Sequence, residues 1–162
     1  MKIYVTTDTH FSHKQLIEYG RPEDFEDKIK KGLLDIKKID LLIHLWDVCI
    51  WQDKINNNWF KNLDCKRVLV KWNHDRKSNN WYMDNGWDLA CERFDIDIFG
   101  KRLAFTHIPI VRDWYFDLNI HWHFHDTQNR HPEDLERLSW YNKLLALEYT
   151  DYKPVKLQEF VL

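Results

Sequence analysis

RVLVKWNHDR, residues Arg67 to Arg76, is an apolar, β-branched run that empties into a polar turn. Val68, Leu69 and Val70 read as the end of a buried strand. Asn73, His74 and Asp75 follow at once, a trio suited to metal binding and proton transfer. Trp72 stands at the strand-to-loop junction, where glycine is the expected residue because such loops need positive φ or close backbone approach.

The same layout recurs on both sides of this stretch. KIYVTT (Lys2–Thr7) is a strand followed by Asp8 and His10. DLLIHL (Asp40–Leu45) is a buried strand followed by Asp47. FDIDIF, Gly100 and KRLAFT read as a hairpin, with His107 just after it. LNIHWHFH (118–125) reads as a strand leading into a loop, with His123 and His125 following the LNI strand. Between them, PEDFEDKIKKGLLDIKK opens with acids, closes with lysines and repeats Phe25, Ile29, Leu33 and Ile36 at helical spacing, which predicts a helix. Residues 52–62 predict a short helix, and KLLALEYT (143–150) a helix or a late strand ended by Pro154. Strands alternating with helices predict a layered α/β fold.

Bulk properties narrow the function. The 162 residues suit one domain with a real core. A net charge of −2 supplies no global field for nucleic acid or an anionic membrane. The three cysteines form no CxxC pair, which argues against a disulfide framework or a thiolate zinc site and fits a reducing, cytoplasmic setting. No apolar run reaches the ~20 residues of a membrane span, and the N-terminus reads as a strand rather than a signal peptide.

The polar groups carry the chemistry. Side chains at neighbouring strand ends converge at one sheet edge, where α/β folds place ligands. Asp8 and His10 are two apart, so on an extended strand they point the same way; so do His123 and His125. Singly, an Asp-x-His or an Asn-His-Asp is most often a turn device. Five such groups at five strand ends are a stronger signal. Oxygen and imidazole donors without thiolate suit manganese, iron or zinc. The donors exceed the needs of one ion, so two are expected.

In order, DTH, HLWD, KWNHD, THIP and HWHFH resemble the five motifs of the calcineurin-like metallophosphoesterase superfamily: D-x-H, G-D, G-N-H-D, a lone H and G-H-x-H. The resemblance runs from Met1 to about Gln128, and the opening DTHFSHKQLI further resembles its small single-domain members. It implies a two-sheet α/β sandwich with metals at the strand ends, spanning residues 1–162 as a single domain. It implies two divalent ions, manganese first, with iron, zinc or nickel as alternatives. Asp8, His10 and His125 would hold one ion and Asn73, His107 and His123 the other, with Asp47 bridging. His74 would protonate the leaving group, oriented by Asp75. The implied reaction is hydrolysis of a phosphate mono- or diester by a metal-bound hydroxide. His13, Arg21 and Arg112 are candidates for binding the phosphate-ester substrate. A metal-binding protein of the same fold with impaired catalysis is one rival, and a small nucleic-acid phosphodiesterase is another, although no basic stripe favours it.

Trp46, Trp72 and Trp122 depart from this pattern, each at a motif glycine; Trp51, in a turn, is a candidate fourth. The chain has 4 glycines, where about 7% usage gives roughly 11, and 9 tryptophans. One systematic cause is more economical than three independent changes. A UGA codon meaning glycine in the source but read as tryptophan explains both the deficit and the excess; engineering and natural degeneration are the alternatives.

Overall fold

Three apolar strands, β1 (Ile3–Thr7), β2 (Leu41–Leu45) and β3 (Lys66–Val70), lie side by side and parallel, with Val5 opposite Ile43 and Ile43 opposite Val68. The computed structural model describes residues 1–111, 115–121 and 139–162. β4 (Leu89–Cys91) extends this sheet parallel to β3. A second sheet is built from β5 (Phe94–Ile98), β6 (Lys101–Phe105), β7 (Leu118–His121) and β8 (Asn142–Leu144), in that spatial order. β5 and β6 form the expected antiparallel hairpin, and β6, β7 and β8 run parallel. β9 (Val155–Lys156) returns antiparallel beside β1. The architecture is a two-sheet α/β sandwich.

Strand alternation explains why β1 to β3 read as nearly continuous apolar runs. Val5, Ile43, Leu45, Val68 and Val70 pack against Leu103, Phe105 and Ile120 between the sheets. Leu42 and Leu69 face the other way, into a cluster with Ile29, Leu33, Phe60 and Trp87. Both faces of the parallel sheet are covered, so both parities are apolar.

The helices follow from local chemistry. α1 (Phe25–Leu34) buries Phe25, Ile29 and Leu33 and carries Glu26 and Asp27 in its first turn and Lys31 in its last. It is shorter than the periodicity suggests, and Ile36 is buried just past its end. α2 (Asp53–Trp59) runs into a 3₁₀ turn at Phe60–Asn62, as expected for residues 52–62. α3 (Asn79–Asp84) has no apolar repeat to betray it, but Ser78 caps it by accepting the Trp81 N–H. Gly86, just beyond, has φ +133, and a Cβ there would lie 2.2 Å from the Asn57 carbonyl oxygen, so only glycine fits. Residues 143–150 resolve into both alternatives: β8, then a 3₁₀ turn at Leu147–Thr150. α4 (Leu157–Val161) closes the chain. Among the described residues no helix is long and apolar enough to cross a membrane.

His44 sits inside β2 on the helix-facing side, fully buried, its ring edge-on to Phe60 and Trp87 and its Nε2 3.0 Å from the Thr9 hydroxyl. Burial drives its pKa from 6.5 to about 3. A ring harder to protonate folded than unfolded takes up a proton on unfolding. Its contribution to stability is therefore full above the unfolded pKa and is lost as pH falls from about 6.5 toward 3, on the order of a few kcal/mol in all. His44→Gln, which keeps a polar atom toward Thr9, is expected to lose less stability than the parent between pH 7 and pH 5, measured by urea denaturation at both. Equal losses would mean that His44 does not charge on unfolding.

Candidate metal centre

The register of β1, β2 and β3 aligns Thr7 with Leu45 and Leu45 with Val70, so the residues that follow share one edge. Beyond the strands the loops stay zipped. Asp8 N–H reaches the Leu45 carbonyl at 3.1 Å, His10 N–H the Asp47 carbonyl at 3.0 Å and Phe11 N–H the Val48 carbonyl at 2.9 Å. Asp8 and His10 do not continue the strand, as the parity argument supposed. Both are left-handed, at φ 46, as are Trp46 at φ 57 and Asp47 at φ 46. These turns, not strand alternation, bring the side chains together. Positive φ is costly for residues with a Cβ, and such strain gathers where surrounding structure imposes it, often at functional sites.

Asp8, His10 and Asp47 are all buried, and each offers a ligand atom within 4.8 Å of the other two. His10 Nε2 lies 3.7 Å from Asp8 Oδ1 and 3.9 Å from Asp47 Oδ2. Burial raises the Asp8 carboxyl well above the usual range, and the Asp47 carboxylate raises it further. Burial likewise pushes Asp47 up to about 7. Asp8 Oδ1 is buried with no hydrogen-bond partner. Metal–ligand distances of about 2.0–2.2 Å put neighbouring donors of one ion about 3–4 Å apart, which matches the observed spacings. Two carboxylates and an imidazole are a fitting donor set for a borderline divalent cation, and a cation would offset the repulsion they suffer without one.

Asp75 has a different part from the one its position beside His74 suggested. Its Oδ2 accepts from Asp47 N–H at 2.8 Å and Trp72 N–H at 3.2 Å, and its Oδ1 from Val48 N–H at 3.3 Å. The carboxylate thus ties the two strand-end loops together through their backbones rather than holding the His74 ring. His74 is partly buried, its N–H donating to Asp47 Oδ1 at 3.3 Å and its ring 6.1 Å from that of His10. Burial, then the charge of Arg76, lowers its pKa. His13 is also partly buried, its ring 5.6 Å from His10. Arg21 is buried. Its Nε bonds Glu148 at 2.9 Å, its Nη1 bonds the Asp8 carbonyl at 3.1 Å, and its guanidinium lies over Phe25 and Tyr152. It braces the Asp8 turn from behind, a role that no sequence motif signals.

Asn73 is exposed, and its carbonyl accepts from Arg76. His107 is buried but does not join the Asp8–His10–Asp47 group. Its ring stacks on Trp72 at 5.2 Å and 17° and stands nearly perpendicular to Trp46 at 5.5 Å. Arg112, Trp122, His123 and His125 lie outside the described residues.

Trp46 and Trp87 are both buried, in different circumstances. Trp87 donates its indole N–H to Asn57 Oδ1 at 2.7 Å. Trp46 has positive φ, and its buried indole nitrogen has no hydrogen-bond partner. The left-handed backbone costs about 1–2 kcal/mol and the unpaired donor about 1–3 kcal/mol. Together these offset most of the ~3–5 kcal/mol at stake when a buried Trp is truncated. Trp46→Gly is therefore expected to cost far less stability than Trp87→Ala, which should cost about 3–5 kcal/mol, measured by urea denaturation. Equal losses would show that position 46 is built for tryptophan.

No family model matches the chain. It is 24% identical over 174 residues to an uncharacterised protein of Methanocaldococcus jannaschii, covering 99% of this chain and 89% of that one. A crystal structure of a protein of unknown function from Aquifex aeolicus matches with a TM-score of 0.76 and 26% identity, covering 98% of this chain and 96% of the other. A structure described as a novel archaeal phosphodiesterase matches with a TM-score of 0.49 and 17% identity, over 75% of this chain and 72% of that one.

Proposed function

We propose that the chain is a divalent-metal-dependent phosphoesterase of the calcineurin-like type, acting on a phosphate mono- or diester. The observation that carries this reading is the buried Asp8–His10–Asp47 group at the ends of adjacent parallel strands. Those three residues would hold an ion, and Asn73, His107, His123 and His125 are the further ligands that the motif order implies. A divalent ion there would supply Lewis acidity at phosphorus and lower the pKa of the attacking water. His74 would deliver a proton to the departing oxygen. Its backbone N–H is held by Asp47 Oδ1 and its ring lies 6.1 Å from that of His10, which keeps it beside the candidate metal group. Asp47 does two jobs, fixing the His74 backbone through Oδ1 and turning Oδ2 toward His10. His13 and His74, whose rings lie 5.6 and 6.1 Å from that of His10, would meet the substrate's phosphoryl oxygens.

A second reading has a specific observation in its favour. His107 is packed against two indoles at positions where the resembling motifs carry glycine. On that reading the fold binds metal but turns over poorly, and the tryptophans mark glycine positions of the functional protein.

Both are tested on the written chain and on one carrying Trp46→Gly, Trp72→Gly and Trp122→Gly, loaded with Mn²⁺. The expected outcome is EDTA-sensitive hydrolysis of p-nitrophenyl phosphate or bis-p-nitrophenyl phosphate by the glycine-restored chain. His74→Ala in that background should slow esters with poor alkoxide leaving groups by about 10²–10⁴-fold. It should slow p-nitrophenyl esters much less, with metal content unchanged. An equal loss on both substrates would exclude the proton-donor role, and no hydrolysis by either chain across a broad ester panel would contradict the phosphoesterase reading.

A further inference from the structure

Glu148 lies beyond Gln128, where the motif resemblance ends, yet it reaches the candidate metal centre through a single residue. It sits in the 3₁₀ turn Leu147–Thr150, whose Leu147 is buried with Tyr152 in the same cluster as Phe25, Ile29 and Leu33 of α1. The chain leaves that turn through two left-handed residues, Asp151 at φ 50 and Tyr152 at φ 57. The Tyr152 N–H closes back on the Leu147 carbonyl at 3.0 Å. The Glu148 carboxylate thereby meets Arg21 Nε at 2.9 Å, and the Tyr152 ring comes within 5.8 Å of the guanidinium. Arg21 Nη1 in turn donates to the Asp8 carbonyl at 3.1 Å. The two side chains are 3% and 17% exposed, so water and salt screen their charges little.

A buried guanidinium beside Asp8 repels any cation held by Asp8, His10 and Asp47, and Glu148 supplies the opposing charge. Both charges are felt at Asp8. Behind burial, Asp47 and the Thr7 hydroxyl, Arg21 favours its ionised form and Glu148 opposes it. Neither Arg21 Nη2 nor Glu148 Oε2 has a hydrogen-bond partner among the described residues, so the pair leans on itself.

We propose that Glu148 is a positioning residue of the metal centre: it holds Arg21 against the Asp8 turn and cancels its charge there, so that the site's affinity for a divalent cation depends on the Leu147–Thr150 turn. This rests on the metal-site reading above. The grip needs the planar arginine fork, with Nε toward Glu148 and Nη1 toward Asp8, which a lysine ammonium does not reproduce. The cancellation needs both partners, because removing one from a buried pair leaves the other charge uncompensated.

The test is the Mn²⁺ dissociation constant, from the electron paramagnetic resonance signal of free Mn²⁺, with circular dichroism to confirm folding. Glu148→Gln keeps an oxygen for Arg21 Nε but removes the charge, and should weaken Mn²⁺ binding on the order of tenfold. Arg21→Lys keeps the charge but loses the fork, and should also weaken it. Adding Arg21→Gln to Glu148→Gln removes the uncompensated cation and should bind Mn²⁺ more tightly than Glu148→Gln alone, whereas loss of a purely mechanical brace would weaken binding further. Parent affinity in folded Glu148→Gln, or a double variant no tighter than the single one, overturns the inference and leaves the metal site standing. If Glu148→Gln does not fold, Arg21→Lys decides, and parent affinity there overturns the inference. No Mn²⁺ bound by the unaltered chain defeats the metal site itself, and the inference with it.

Discussion

Asp8, Asp47 and Asp75 are buried together at the ends of three adjacent parallel strands, and the structure around them is organised by the difficulty of keeping them there. Each is made harder to ionise by burial. Asp75 meets the difficulty within the protein, by accepting from the backbones of Trp72, Asp47 and Val48. Asp47 does so in part, through the His74 N–H. Asp8 has the Thr7 hydroxyl against one oxygen, while its Oδ1 is left facing His10. The charge that the polypeptide does not satisfy is thus concentrated on one side of His10, the arrangement that a cation completes.

The backbone supports this concentration at some cost. Asp8, His10, Trp46 and Asp47 all have positive φ, and the parallel zipper between the two loops holds them there. Arg21, paired with Glu148 near the C-terminus, grips the Asp8 carbonyl, so the far end of the chain helps fix the turn. Strain, buried charge and long-range bracing meet at the same few residues, which is how a preorganised site differs from an ordinary loop.

Much of this was legible in the sequence because burial on both faces leaves a plain mark. β1, β2 and β3 are short apolar runs, and each is followed by residues of an unmistakably different chemistry. What could not be read had physical reasons. Asp8 and His10 suggested strand parity, yet their convergence depends on left-handed turns set by the neighbouring loop. α3 carries no apolar period, and β4 and β9 are too short to show alternation. Asp75 looked like a partner for the His74 ring, and only the tertiary structure shows its carboxylate taken up by backbone amides. Trp46 was legible as an anomaly, but its contact with His107 was not, because that contact joins residues that follow strands of different sheets. A conflict between a local backbone preference and the residue that occupies it is where sequence and fold are least consistent in this molecule.

The central claim is that Asp8, His10 and Asp47 form a divalent-cation site. Its most direct measurement is anomalous scattering from crystals of the full chain grown with Mn²⁺. The account predicts a strong peak within ligand distance of the Asp8 and Asp47 carboxylates and the His10 imidazole. Fully occupied Mn²⁺ only at exposed acids such as Asp95 or Asp97, with nothing beside His10, would contradict it.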